Sequence, residues 1–366
     1  MLNKVLVFVF LGLVAAFAAA QPGLNELDDG WNQIATEGLC SPGTGYHFSV
    51  RPVTQSADLL IYFNGGGACW FGQACDLNSQ PNIHTPSADL PQNSPRDASG
   101  IFDTDHSANP LAGFNMVFLP YCTGDVFLGS GDKVYNYTNS EGDAVELTVH
   151  HQGYRNSMDV LNWVYANYPA PERIVIAGSS AGAIGSSFYA GLVAEHYQDV
   201  PVVLIADAAG AYGSPNLAVT FNAWETEDIL PDWPEYEGLD NNNLTFEDFY
   251  IASYRHNENL TLSQYNTAYD SVQVSFTTVI GDPPDSYSLP QRLLNNYLRI
   301  ESEVDDLFTY TAGGDVHTIL RSDLFYQYEV QDVPFAQWVH DLVNLDSVMD
   351  VSCVREIAGC MPAPGQ

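Results

Sequence analysis

Four compact apolar runs lie between residues 57 and 206, and two segments of helical length lie among them. The runs occupy residues 57–64 (ADLLIYFN), 115–120 (NMVFLP), 173–177 (RIVIA) and 202–206 (VVLIA). Short uninterrupted apolar runs predict strands that are buried on both faces, as parallel strands are. Residues 157–168 and 181–196 have helical length and periodicity. Strands that alternate with helices predict an α/β fold with a mostly parallel central sheet and helices on both faces.

Two long stretches, residues 71–113 and 211–258, interrupt this alternation. Loops of such length in a compact domain usually have a function. We interpret residues 211–258 as a cap insertion over the functional site, with packing of a small helical subdomain as the alternative. The aromatic side chains of this stretch are those of Trp224, Trp233, Tyr236, Phe246, Phe249, Tyr250 and Tyr254. No low-complexity linker divides residues 21–366, so we expect them to form one catalytic domain.

The first 20 residues have the pattern of a signal peptide. Lys4 is followed by an apolar run, and three small residues, Ala18 to Ala20, offer a cleavage site before Gln21. A retained membrane anchor is the alternative, but the apolar run is short for a span. We therefore predict a secreted protein, extracellular or periplasmic, without a stable membrane anchor after cleavage.

Six cysteines in a chain of this kind predict disulfides. We favour two local pairs, Cys69 with Cys75 and Cys353 with Cys360, and these leave Cys40 to pair with Cys122. A zinc site fits poorly because the cysteines lack the close ligand spacing of such sites. We expect neither a metal nor another cofactor.

The chain carries 45 acidic and 11 basic side chains, a formal net charge of −34, which becomes one unit more negative when Lys4 is removed. The acids are scattered, and the aromatic content of 12% indicates a folded protein with an acidic surface. Such a surface excludes nucleic acid as a partner. It also repels polyanionic polysaccharides unless salt screens the charges. The sequence makes no prediction of the oligomeric state.

The segment GSSAG, residues 178–182, follows the run RIVIA directly and opens the helix at residues 181–196. This order of strand, sharp turn and helix is that of a nucleophile elbow, in which small residues flank a strained serine. Ser180 is the predicted nucleophile. Ser179 is its neighbour and rival, but it lacks the two flanking glycines.

Three glycines, Gly65 to Gly67, end the run ADLLIYFN and are similar to the HGGG-type loop of esterases, with Asn64 where histidine often stands. Acyl transfer needs N–H donors aimed at the oxyanion of the tetrahedral intermediate. We assign the backbone amides of Gly66 and Gly67, together with that of Ala181, to this oxyanion hole. An ordinary glycine turn is the alternative.

A serine nucleophile needs a histidine base and a carboxylate, and in this fold both follow the serine. His317 lies in a loop beyond the predicted strand LFTYTA and is the favoured base. Two other histidines lie far enough downstream of Ser180. His256 precedes the acid candidates, and His340 belongs to a predicted amphipathic helix. For the acid, pattern alone leaves three choices open. These are Asp270, which ends the strand-like segment TLSQYNTAYD, and Asp282 and Asp285 further on.

The combined motifs resemble the pectin acetylesterase and Notum family of serine hydrolases. The similar segments are YFNGGGAC, LPYCTGDVFLG, GSSAGAIGS, NTAYDSVQ, YTAGGDVHTIL and VPFAQWVHDLV, which span the chain from Ile61 to about Cys360. The resemblance implies an α/β-hydrolase-like fold and hydrolysis of acyl esters without a metal. It also implies that Asp270 is the triad acid and His317 the base. Plant members carry tryptophan before the cysteine of the glycine loop, where this chain has Ala68, so the shape of the substrate pocket does not transfer.

We therefore expect a secreted serine carboxylesterase that deacetylates a polysaccharide. An esterase or lipase acting on lipid or small esters is one alternative. A catalytically silent, secreted module that binds glycans or lipids is another.

Overall fold

The computed structural model describes residues 21–80, 82–96, 98–282 and 288–353. The predicted signal peptide, residues 1–20, lies outside the described residues. Within the described ranges, no helix is both long enough and apolar enough to cross a membrane.

Thirteen strands and eight helices form the described part of the chain. The strands are β1 (Asn32–Leu39), β2 (Gly45–Arg51), β3 (Asp58–Phe63), β4 (Asn115–Leu119), β5 (Gly131–Thr138), β6 (Ala144–His151), β7 (Arg173–Ser179), β8 (Val202–Asp207), β9 (Leu260–Thr267), β10 (Leu307–Ala312), β11 (Glu329–Val330), β12 (Val333–Pro334) and β13 (Val351–Ser352). The helices are α1 (Gly72–Cys75), α2 (Gly153–Asn167), α3 (Ala181–His196), α4 (Leu217–Trp224), α5 (Phe246–His256), α6 (Ser271–Val279), α7 (Leu289–Glu301) and α8 (Phe335–Val343).

Nine strands form the central sheet in the order β1-β2-β4-β3-β7-β8-β9-β10-β13. Strand β2 is antiparallel to both of its neighbours, and all other neighbouring pairs of this sheet are parallel. The predicted α/β fold with a mostly parallel central sheet is confirmed, and its architecture is α/β-hydrolase-like. The strand order reverses between β3 and β7, and in open α/β sheets ligands bind at the carboxyl ends of the strands beside such a reversal.

Alternating side chains of the central strands enter two separate cores, one on each face of the sheet. In β3, Leu59, Ile61 and Phe63 join the core that includes α3 and α5, whereas Leu60 and Tyr62 join the core that includes α8. All five side chains are fully buried. Burial on both faces explains why the central strands are uninterrupted apolar runs in the sequence.

Two of the three predicted disulfides are confirmed. Cys40 pairs with Cys122, and Cys69 pairs with Cys75. The third predicted pair involves Cys360, which lies outside the described residues, so the pairing of Cys353 with Cys360 stays a prediction.

The aromatic-rich stretch, residues 211–258, contains α4 and α5 together with short 3₁₀ turns. Phe249 on α5 packs edge-to-face against Phe188 on α3, with ring centroids 5.7 Å apart. Trp224 and Phe246 of the same stretch are buried in the same core. The stretch is thus packed on α3 by its aromatic side chains, while its Tyr212 faces a pocket described below.

Candidate active site

Ser180 lies on the turn between β7 and α3, at the strand-order reversal. Its φ of 55° places it in the left-handed region, which is unfavourable for a residue with a side chain. Its amide donates to the carbonyl oxygen of Asp207 at 2.7 Å, which ties the turn to the end of β8. The sharp, strained turn holds the Ser180 hydroxyl at the carboxyl edge of the sheet.

The hydroxyl of Ser179, the rival nucleophile, belongs to a buried hydrogen-bond chain. It accepts from the Tyr62 hydroxyl at 2.7 Å and donates to Asp207 Oδ2 at 2.6 Å. A hydroxyl held between these two partners is engaged in structure, whereas the Ser180 hydroxyl faces two pockets.

The glycine loop after β3 lies directly against the serine turn. A Cβ added to Gly65 would stand 2.6 Å from the Ser179 carbonyl oxygen and 3.0 Å from Ser180 Cβ, so the close approach requires glycine. Gly67 has a φ of 75°, which also favours glycine. Among the described residues, the amides of Gly66 and Gly67 have no acceptor, and the amide of Ala181 is at the first position of α3. The three amides assigned to the oxyanion hole are therefore free to bind an anion beside Ser180.

The structure brings His317 and Asp270 together. His317 Nδ1 lies 2.6 Å from Asp270 Oδ2, and the Asp270 side chain is fully buried while His317 is 19% exposed. Asp270 does not end strand β9, which stops at Thr267; it is the N-cap of α6 and accepts from the amides of Val272 and Gln273. One carboxylate thus caps a helix and orients an imidazole.

The rival residues are engaged elsewhere or lie outside the description. Asp282 forms an ion pair with Arg292 at 2.9 Å, and Asp285 lies outside the described residues. His256 lies between two glutamates, Glu195 and Glu235, at 3.2 Å from each. His340 is on α8 with its side chain 49% exposed, as expected for a helix-surface residue.

Two cavities meet at Ser180. The first, here called the polar groove, is an open depression of about 1080 Å³. It includes Ser180 and His317 together with the three glycines of the loop, and Arg321 lies in its wall. Among the described residues that line it, none is an aspartate or a glutamate, although the chain has 45 acidic side chains. The groove is therefore a local exception to the acidic character of the chain.

The second cavity, here called the apolar pocket, is a narrow cleft that opens to solvent. It extends from Ser180 between α3, α4 and α6. Its lining is almost wholly hydrophobic: Gly67, Ala68, Trp70, Val126, Ser180, Ala181, Ile184, Tyr212, Thr220, Trp224, Phe246, Phe276 and Ile280. A site with one polar and one apolar side, joined at a serine, suits an ester whose two halves differ in polarity.

Several residues of the site were not found from the sequence. Gln273 donates to Asp270 Oδ2 at 3.0 Å, and its own carbonyl accepts from the Ala211 amide at 2.9 Å. Burial and the charge of Asp270 raise the pKa of Tyr212, which stays a neutral phenol in the wall of the apolar pocket. Gln273 ends the segment NTAYDSVQ, but its residue type alone does not indicate the contact with Asp270, and Tyr212 lies in no motif.

Arg321 was also missed. Its guanidinium donates to Asn64 Oδ1 and to the Gln92 carbonyl oxygen, at 2.6 Å each, and it lies 5.2 Å from the centre of the Phe118 ring. These hydrogen-bond acceptors are uncharged, so they do not neutralise the positive charge that Arg321 brings to the groove. Burial lowers the pKa of Arg321, but a guanidinium stays charged at all physiological pH values.

The fold and the geometry of the site define an α/β-hydrolase-like protein with a serine at the nucleophile-elbow position. Residues 31–223 match the family model described as Pectinacetylesterase. Because this match covers more than half of the chain, the protein belongs to the pectinacetylesterase family. The matched range includes the glycine loop and Ser180 and ends before Asp270 and His317.

Relatives that match the chain are palmitoleoyl-protein carboxylesterases. The chain is 28% identical to notum1 of Xenopus laevis, over 44% of this chain and 31% of that protein. It is 25% identical to NOTUM of Schmidtea mediterranea, over 41% of this chain and 27% of that protein. An inactive palmitoleoyl-protein carboxylesterase, notum1b of Danio rerio, is 30% identical over 26% of this chain and 68% of that protein. The chain thus spans about 30% of the length of the first two relatives.

Proposed function

We propose that the protein is a serine carboxylesterase in which Ser180 is the nucleophile, His317 the general base and Asp270 the carboxylate that orients His317. The observation that carries this proposal is the 2.6 Å contact between His317 Nδ1 and buried Asp270, in a groove that Ser180 shares with His317. The strained turn at Ser180 supports it, because such strain is typical of a nucleophile elbow.

In the proposed mechanism, Ser180 Oγ attacks the ester carbonyl carbon while its proton moves to His317. The amides of Gly66, Gly67 and Ala181 stabilise the oxyanion of the tetrahedral intermediate. His317 then gives the proton to the leaving alcohol oxygen, and the acyl group stays on Ser180. Water attacks this acyl-enzyme with His317 again as the base, which releases a carboxylic acid and restores the serine.

The apolar pocket favours an acyl group longer than acetyl. Its hydrophobic lining favours methylene groups, each of which contributes roughly 0.8 kcal/mol when it leaves water. The names of the Notum relatives, which describe removal of a palmitoleoyl group from protein, support the same proposal.

The polar groove suits a hydrophilic alcohol half, such as a sugar hydroxyl. The groove is open, and the polar side chains of Asn64, Thr85, Gln92 and Ser99 line it. Deacylation of a polysaccharide is therefore kept as the second candidate, and the absence of acidic side chains among the described lining residues supports it. We further propose that the protein is exported, because the N-terminal sequence resembles a signal peptide and two disulfides are formed.

The test is hydrolysis of p-nitrophenyl esters from acetate to palmitate, and of acetylated xylan and acetylated pectin, by the wild type and by Ser180→Ala. We expect the wild type to cleave the esters and Ser180→Ala to lose at least roughly a thousandfold in kcat. The matched control is Ser302→Ala, on an exposed hydroxyl at the end of α7. It should keep wild-type rates.

Three outcomes separate the alternatives. Equal activity of the wild type and Ser180→Ala would mean that Ser180 is not the nucleophile. Retention of an acylated ligand without hydrolysis by the folded wild type would favour the silent binding module; one relative, from Danio rerio, is named as inactive. Faster release of acetate from glycans than of longer acyl groups would favour the polysaccharide deacetylase.

A further inference from the structure

A second buried carboxylate, Asp207, lies between the serine turn and the loop that bears His317. It is the last residue of β8, and its strand partner in β7 is Ser179. Its side chain is fully buried. The proposed mechanism gives this carboxylate no role, and a buried carboxylate is too costly to be kept without compensating contacts.

Asp207 binds both sides of the site. On the serine side, its Oδ2 accepts from Ser179 Oγ at 2.6 Å, and its backbone carbonyl accepts from the Ser180 amide at 2.7 Å. On the histidine side, its carboxylate accepts from the amide of Ile319 at 3.0 Å and from the amide of Leu320 at 3.1 Å. These two amides belong to the second and third residues after His317.

Three strained residues lie beside these contacts. Ser180 has a φ of 55°, and Ala208 and Thr318 each have a φ of 66°. Ala208 follows Asp207 directly, and Thr318 lies between His317 and the first of the two bound amides. Positive φ at residues with side chains is unfavourable and persists only where the surroundings impose it. The hydrogen bonds to Asp207 are positioned to impose the positive φ angles of these three residues.

We propose that Asp207 is a positioning residue that fixes the nucleophile turn and the base loop relative to each other. The inference rests on the proposed function of Ser180 and His317 and adds to it a device that sets their spacing. Catalysis depends on such spacing, since a misplacement of 1 Å can cost about a hundredfold in rate. Asp207 touches no reacting atom and acts through its neighbours.

The carboxylate of Asp207 also interacts electrostatically with His317. Burial raises the pKa of Asp207 to about 6, while the hydrogen bonds from Ser179, Leu320 and Ile319 and the charge of His317 act to lower it. Above this pH the ionised carboxylate holds the two loop amides and the serine hydroxyl. Below this pH the carboxyl group of Asp207 is protonated. One of its oxygens then carries a hydrogen and is a donor, so it no longer suits the N–H and O–H donors around it.

Other ionisable groups face this cluster from β3, β9 and the loop after His317. Tyr62 and Tyr265 interact electrostatically with Asp207, and burial raises the pKa of each tyrosine well above its ordinary value. Arg321 faces the same cluster through Tyr62. The tyrosines stay neutral and Arg321 stays charged between pH 4 and 8, so Asp207 is the group of this cluster whose pKa lies in that range.

The test compares Asp207→Asn with the wild type in kcat, KM and the pH dependence of kcat/KM on a p-nitrophenyl ester. We expect kcat to fall by about a hundredfold with KM changed by less than about threefold, because binding surfaces are untouched. In the wild type, protonation of Asp207 should add to the loss of activity at acid pH, so the acidic limb of kcat/KM should be steeper than in Asp207→Asn, which lacks this titrating group.

Asp125→Asn is the matched control. Asp125 is likewise fully buried, with its pKa raised to about 6 by burial, but it binds Thr123 and the amides of Phe127 and Gly153 instead of the base loop. We expect this variant to lose thermal stability as Asp207→Asn does and to keep the steep acidic limb. A purely structural role of Asp207 would give the same result for both variants and would overturn the proposal.

Ser179→Ala tests the same inference if Asp207→Asn does not fold. It removes one donor to the carboxylate, so the pKa of Asp207 should rise and the acidic limb should move to higher pH. An unchanged acidic limb in a folded Ser179→Ala contradicts the inference. If Ser180→Ala stays active in the same assay, the proposed function fails; if Ser180→Ala is inactive and Asp207→Asn behaves as the wild type, only the role of Asp207 fails.

Discussion

Filling the apolar pocket from its α4 wall should shorten the acyl chains that the protein hydrolyses. Thr220 lines this pocket and is buried, and its hydroxyl donates to the Leu217 carbonyl oxygen within the same helix. Thr220→Phe would place an aromatic ring at this narrow pocket while leaving the residues Ser180 and His317 and the glycine loop unchanged.

The size of the effect follows from the methylene groups that lose their place. Each buried methylene contributes roughly 0.8 kcal/mol, which is about fourfold in kcat/KM. Octanoate has four methylenes more than butyrate, so complete burial of all four sets an upper limit of roughly 3 kcal/mol, or about 200-fold, on its advantage. We expect Thr220→Phe to remove most of the wild-type preference for octanoate and to change acetate hydrolysis by less than about threefold.

The assay is kcat/KM on p-nitrophenyl acetate, butyrate and octanoate below their aggregation limits. The matched control is Val219→Phe, because Val219 is the neighbouring residue of α4 and is 60% exposed. This variant carries the same added ring on the outside of the helix and should keep the wild-type preference. If folded Thr220→Phe keeps the wild-type ratio of octanoate to butyrate, the acyl chain does not bind in this pocket and the reasoning is refuted.

Three further predictions concern charge, the triad acid and the disulfides. Raising NaCl from 0.05 to 0.5 M should lower the KM for acetylated pectin and leave the KM for neutral acetylated xylan unchanged. The reason is that salt screens the repulsion between polyanionic pectin and a chain of net charge −34. Equal changes in KM for both substrates would exclude charge repulsion as the cause. Asp270→Asn should lower kcat by about 10³ to 10⁴ without unfolding the protein, measured with circular dichroism as the check. Replacing Cys40 and Cys122 by serine should cost about 4.5 kcal/mol of unfolding free energy, because this disulfide joins residues 82 positions apart. Replacing Cys69 and Cys75, which are 6 positions apart, should cost about 2.4 kcal/mol. Urea titration measures both costs, and the reverse order would contradict the loop-entropy argument.

The strands and the serine turn could be predicted from sequence because their signals are local. Uninterrupted apolar runs predicted β3, β4, β7 and β8 to within about two residues of their ends. The motif GSSAG predicted a sharp turn, and Ser180 has the positive φ of such a turn. Burial on both faces of a sheet requires consecutive apolar residues, and a sharp turn requires small residues, so both features can be recognised in the local sequence.

The acid and its supports could not be derived from pattern. Asp270 was expected at the end of a strand, but it caps α6, because the chain leaves β9 three residues earlier and turns into a helix whose first amides need an acceptor. Asp207 takes its role from Ser179 and Ile319, which are 28 and 112 residues away in the chain, and Gln273 is held by Ala211, 62 residues before it. Contacts at that distance carry no sequence motif.

Helix α6 links the chemistry of the site to the selection of its substrate. Asp270 caps its first turn, while Phe276 on the same helix and Ile280 just beyond it form part of the wall of the apolar pocket. In the proposed mechanism, an acyl chain that packs on this wall contacts the same helix whose N-cap is the proposed triad carboxylate. Substitutions meant to change the preference for acyl-chain length without lowering the rate should therefore be made on α4. Repacking α6 would move the pocket wall at Phe276 and the carboxylate of Asp270 together.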